Sequence, residues 1–182
     1  GFSFAKLRFR GRPVLLAFIV GTMAIPAQLG VVPLFIVMAH LGWTGQLIAV
    51  IVPGMVNAFG VFWMTQYLEE ALPYELIEAA RVDGAGMLRI YWSIVLPVSI
   101  PGFVVTLIWQ FTSAWNDFLF ALFLTSPRNG PVTYALQELA GGQNPDYPSI
   151  MAGVLVASLP TLLVYIALGR YFISGLMSGS VK

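Results

Sequence analysis

Few residues in this chain could carry out chemistry on a substrate. It has no cysteine and a single histidine, His40, so thiolate metal sites and disulfides are excluded and a histidine-based cluster or triad is not expected. Asp83-Gly84-Ala85-Gly86 comes nearest to a phosphate-cradling loop, but it lacks the lysine and the strand that such a loop needs. No metal site is expected, and paired acids are scarce. What remains is a set of polar side chains within long apolar runs: Asn57, Gln110, Thr112, Ser113 and the Trp115-Asn116-Asp117 cluster. Polar groups at membrane depth are costly and tend to face an interior or a cavity. Such groups could line a polar path, with Trp109 and Trp115 in the same run. The same residues also fit simpler roles. Trp115 suits an interfacial aromatic belt, Asn116 and Asp117 suit helix caps, and Asn57 and Gln110 suit bonds between helices.

The elements that position these groups follow from the distribution of charge. Of 182 residues, 58% are hydrophobic and 9% charged, against about 25% charged in soluble domains, so most of the surface must face lipid. A net charge of +1 says nothing about nucleic acid, and without a basic tract of the kind a phosphate backbone needs no nucleic-acid partner is expected. Residues 13–68 contain no Asp, Glu, Lys or Arg, far more than the roughly 20 residues that cross a bilayer once. The run must fold back at His40–Gly45, giving helices at 13–39 and 46–68. Charge-free runs predict two more, at 90–116 and 149–169. Strict period-two alternation is absent, so membrane strands are not expected. The fold predicted is all-α: a polytopic bundle of about four transmembrane helices in one domain, 1–182. Pro26, Pro33, Pro53, Gly54, Pro97, Pro101 and Pro160 lie inside the runs and predict bent helices around a pathway.

Eight of the nine basic residues, all but Arg128, fall on one side of this layout. The positive-inside rule therefore puts both termini of this chain in the cytoplasm. The 126–148 connection, rich in Pro, Gly and Asn, then faces outward with Gln143, Asn144, Pro145, Asp146 and Tyr147 available for contact. The opening Gly1 suggests a processed or partial chain.

A short charged helix interrupts the apolar sequence at 73–84. Pro73 and Glu75 suit its start, and Gly84 and Gly86 its end. It is too short to be stable alone, so it needs a partner. Glu78 and Arg81 are spaced to pair at i, i+3, and Ala79 and Ala80 make a thin side that another surface could approach closely.

The spacing Glu78-Ala79-Ala80, three residues, Gly84, nine residues, Ile94-Val95-Leu96-Pro97 resembles the EAA loop, E-A-A-x3-G-x9-I-x-L-P, of permease subunits in bacterial ABC importers, with every specified position met. The stretches at 6–13, 80–86, 115–118 and 170–182 resemble the carbohydrate branch, of the second-permease type of maltose transporters. The resemblance covers essentially the whole chain, which looks like the family's six-helix permease without its first two membrane helices; 1–12 looks like the exit of the second.

The resemblance implies that 73–84 is a coupling helix docked on a cytoplasmic ATPase. Glu78 would face a basic group, Ala79 and Ala80 would pack closely, and Asp83 and Gly84 would form the turn. It also implies a location in the bacterial cytoplasmic membrane beside a second homologous permease, two ATPase subunits and an extracytoplasmic sugar-binding protein. No cofactor is expected in this chain; ATP and magnesium would sit on the ATPase. Asn57, Gln110, Trp115, Asn116 and Asp117 are the candidates for a substrate path. The alternatives are a permease for a polyol, glycerol phosphate or peptide, and a scaffold or sensor subunit with no path of its own. A membrane-embedded enzyme is the least expected.

Overall fold

Proline decides where most of the apolar helices of this chain break. The computed structural model describes residues 1–141 and 145–177, with side chains as far as Gly169. Gln143, Asn144, Lys182 and the side chain of Arg170, which entered the expectations above, lie outside the described residues. In chain order the helices are α1 (Phe2–Lys6), α2 (Arg12–Thr22), α3 (Val31–His40), α4 (Ile48–Gly54), α5 (Ala58–Ala71), α6 (Tyr74–Val82), α7 (Met87–Val98), α8 (Ile100–Trp115), α9 (Leu119–Leu124), α10 (Val132–Ala140) and α11 (Tyr147–Met177). Among the described residues there is no strand. The stretches Ile48–Ala71 and Tyr147–Gly169 are long and apolar enough to cross a membrane. The pairs α2 with Ala27–His40 and α7 with α8 qualify as broken spans. The chain is a helical membrane protein, with up to four crossings among the described residues.

The expected helix at 13–39 is divided, because Pro26 has no N–H to donate and disfavours helical backbone in the residue before it. Pro26 itself is extended (φ −58°, ψ 121°), and a 3₁₀ turn, Ala27–Gly30, leads into α3. The expected helix at 46–68 is interrupted after Pro53 and Gly54 and restarts at Ala58. The expected helix at 90–116 begins at Met87 and bends by 66° between α7 and α8. Pro97 would crowd the carbonyl four residues earlier, and a π-helical turn, Tyr91–Val95, widens the helix there. At the bend the Ser99 N–H and hydroxyl both donate to the Val95 carbonyl, at 2.9 and 2.6 Å. Pro160 lies within α11 without ending it. The 126–148 connection is not all loop, since it contains α10.

By its contacts the chain divides into two compact units, Gly1–Ala24 with Asn57–Ile108 and Leu168–Lys182, and Ile25–Val56 with Trp109–Ala167. The first has a core of Ala5, Met64, Leu68, Leu72, Ile77, Ile90 and Val95. In it Gly102 meets Tyr67 so closely that a Cβ would come within 2.8 Å of the ring, and the Tyr67 hydroxyl donates to the Val98 carbonyl at 3.1 Å. The second unit is centred on Met38, Ala49 and Leu124, with the Gly45 N–H donating to the Leu124 carbonyl at 2.8 Å. Large apolar side chains such as Val14, Phe18, Val32, Leu155 and Ile166 are exposed along the spans, as a lipid-facing surface requires.

Candidate functional site

The helix breaks expose backbone groups, and the polar residues singled out above lie at or beside several of them. Asn57 occupies the first break. It caps α5, its Oδ1 accepting from the Gly60 N–H at 2.7 Å, so this amide is engaged at a helix start instead of lying mid-helix. Gln110 Nε2 donates to the Gly54 carbonyl at 3.1 Å, supplying a donor at the end of α4, where intrahelical partners run out.

Gln110 and Asp117 line one cleft of about 360 Å³ together with Gly54, Ser113 and Ala114. Asp117 Oδ1 accepts from the Phe120 N–H at 3.4 Å, and its carbonyl accepts from the Thr133 hydroxyl at 2.6 Å. Burial raises the pKa of the Asp117 carboxyl, and the Phe120 N–H counters part of that.

Trp115 and Asn116 line a different cleft of about 470 Å³. The Trp115 indole stacks on Phe111 with centroids 5.6 Å apart and donates to the Ala157 carbonyl at 2.9 Å. Asn116 donates back to the Thr112 carbonyl at 2.9 Å. The structure thus brings Gln110 together with Asp117, and Trp115 with Asn116. Sequence reasoning missed the other polar groups of the Trp115 cleft: Thr133 and, from α11, Ser158, Thr161 and Tyr165. The spacing of these last three, i, i+3 and i+7 in an otherwise apolar helix, was a usable signal.

The second candidate site is α6. Its Ile77 is 5% exposed and inserts into the core of the first unit, with Ala80 packed against that core. On the opposite side Glu75, Glu78, Ala79 and Val82 are exposed, and at helical spacing they form one face. Val82 is 89% exposed, a large apolar contribution to this face that sequence reasoning did not single out. The expected Glu78–Arg81 ion pair is absent among the described residues; Arg81 Nη2 approaches Met87 Sδ at 3.7 Å instead.

The end of α6 is closely specified. The Gly84 N–H donates to the Arg81 carbonyl at 3.0 Å, and the Ala85 N–H to the Ala80 carbonyl at 2.9 Å. These are the two bonds of a Schellman cap. Gly84 supplies the left-handed residue with φ +76°, and Ala80 and Ala85 are both packed against the core. Ala80 therefore serves the cap and the inner face, while Glu78 and Ala79 face outward. Asp83 is the exposed C-cap.

Residues 1–176 match the family described as binding-protein-dependent transport system inner membrane component. Over its whole length the chain is 40% identical to a probable ABC transporter permease protein of Pyrococcus horikoshii, covering 67% of that protein. It is likewise 33% identical to the lactose transport system permease protein LacG of Rhizobium radiobacter, covering 66% of it. In three dimensions it is similar to a chain of a bacterial ABC transporter involved in the import of the acidic polysaccharide alginate. That likeness has a TM-score of 0.80 at 26% identity and covers 94% of this chain and 65% of the other. The chain thus spans about two thirds of the length of the proteins it matches. It belongs to the family of inner membrane components of binding-protein-dependent transport systems.

Proposed function

We propose that the chain is a permease subunit of an ATP-driven carbohydrate importer and couples to a cytoplasmic ATPase through α6. The observation that carries the coupling role is the outward face of Glu75, Glu78, Ala79 and Val82 on a helix anchored by Ile77 and ended at Gly84. Two carboxylates offer a partner charge to pair with, Ala79 lets it approach closely between them, and burying Val82 supplies apolar contact area. In this reading the face points into the cytoplasm, with both ends of the chain on that side, and a basic group of the ATPase answers Glu78. A second homologous permease, a second ATPase and an extracytoplasmic binding protein complete the assembly. ATP and magnesium are held by the ATPases. This chain has no hydrolytic role.

A carbohydrate cargo is supported by relatives that carry sugars and by the linings of the two clefts. Those linings include Gln110, Asp117, Asn116, Ser158, Thr161 and Tyr165 and no Lys or Arg, which suits a neutral hydroxylated solute better than an anion.

The test is co-purification from detergent-solubilised membranes. The native chain is expected to retain an ATPase, and Glu78→Lys and Gly84→Trp are expected to lose it. If the native chain brings down no ATPase, the importer reading fails; if both variants retain it, α6 is not the docking surface.

A further inference from the structure

The first turn of α6 is tied to its surroundings by a side chain far away in sequence. Lys6 is 7% exposed, and its ammonium does two things at once. Nζ donates to the Glu69 carbonyl at 3.0 Å, in the last turn of α5, and lies 4.5 Å from the ring centroid of Tyr74, the first residue of α6. The Tyr74 hydroxyl donates in return to the Ala5 carbonyl at 3.4 Å. Arg12 pairs with the Glu69 carboxylate at 2.6 Å, so α1, the start of α2, the end of α5 and the start of α6 converge on one cluster. Burial lowers the Lys6 pKa, and the Glu69 and Glu75 carboxylates oppose that shift.

The chemistry gives this joint stiffness. The last carbonyls of a helix lack intrahelical donors, and a cation there satisfies one while complementing the negative end of the helix. A desolvated ammonium over an aromatic face adds a second attraction that depends on where the ring sits. Pro73 has a fixed φ and no N–H to bond, so the α5–α6 corner gains little from its own backbone.

We propose that Lys6 is a positioning residue that fixes the first turn of α6 against the end of α5, so that force applied to α6 moves the membrane helices with it. The proposal rests on the coupling role of α6 given above and adds a residue outside the EAA stretch to it.

The test uses the complete transporter in proteoliposomes, comparing hydrogen exchange with and without ATP plus vanadate. In the native complex, trapping the nucleotide is expected to change exchange both in α6 and at the end of α5, where the Leu72 N–H donates to the Leu68 carbonyl. In Lys6→Met the bound ATPase and the response of α6 are expected to remain, and the response at the end of α5 to be lost. Protection of the amides that donate to the first-turn carbonyls of α6 should fall about tenfold, the scale of losing one charge-assisted bond. Lys6→Arg, which can still donate and still cover the ring, should restore both. A purely structural Lys6 would lower the melting temperature of Lys6→Met and leave the nucleotide response at the end of α5 intact; that result overturns the proposal. If Lys6→Met does not assemble, Tyr74→Leu decides between the same two results, because Tyr74 is 41% exposed and its loss opens no buried cavity. Absence of any ATPase on the native chain overturns the coupling reading itself and is recognised before the variants are compared.

Discussion

Replacing Gly84 by alanine isolates backbone conformation from packing. A Cβ at this position would find no atom within 4 Å, yet the residue sits at φ +76°. The cost is therefore conformational, on the order of 1–2 kcal/mol for a side chain in the left-handed region. Alanine also restricts the unfolded chain, which returns about 0.4–1 kcal/mol. The net loss is about 1 kcal/mol, or roughly fivefold in the population of the formed cap at 1.4 kcal/mol per factor of ten. The assay is hydrogen exchange over the segment Ala79–Leu88, whose Gly84 and Ala85 amides make the two capping bonds. Gly84→Ala should lower protection there about fivefold, and Gly84→Asn should lower it less, because asparagine tolerates this conformation. Protection in Gly84→Ala equal to the native value, or a loss equal in the two variants, would refute the conformational argument.

Three further perturbations address other parts of the fold. Gly102→Ala would bring a Cβ within 2.8 Å of Tyr67 and 3.0 Å of Met64, and should destabilise by about 1–3 kcal/mol through overpacking. Thermal unfolding in detergent reads this, with Tyr67→Leu expected to recover part of the loss. Gln110→Leu removes the side-chain donor to the Gly54 carbonyl and should cost about 1 kcal/mol; the sign is a rise in exchange at the α4–α5 break with α6 unaffected. Arg12→Gln removes a pair whose side chains are 27% and 39% exposed, so its melting temperature should change little, by less than about 1 kcal/mol equivalent, and less again at high salt.

The sequence by itself determined the class of the protein. Charge-free runs too long for one crossing, with most basic residues to one side, specify membrane helices whatever their packing, because lipid offers no partner for a charge or an unpaired backbone group. It also determined α6: Pro73, Glu75 and Gly84 are local signals, and the cap bonds span only a few residues, so no distant contact was needed to find its ends.

What the sequence could not determine was which polar group answers which break. Pro53 and Gly54 announce a break, but not that Gln110 reaches the Gly54 carbonyl from 56 residues away, and nothing local places the Trp115 indole on the Ala157 carbonyl inside α11, 42 residues away. Asn57 reads equally well as a pathway amide or as a bond between helices, until α5 is seen to start after it with Asn57 as its cap. Glu78 and Arg81 have the spacing of a pair and do not form one, since an exposed pair gains too little to fix two long side chains. Lys6 reads as one more positive-inside charge, and only folding carries its ammonium to Glu69 and Tyr74. Local pattern fixes the conformation of each segment, whereas the partner of a side chain depends on which helices pack together, and that information is spread over the whole chain.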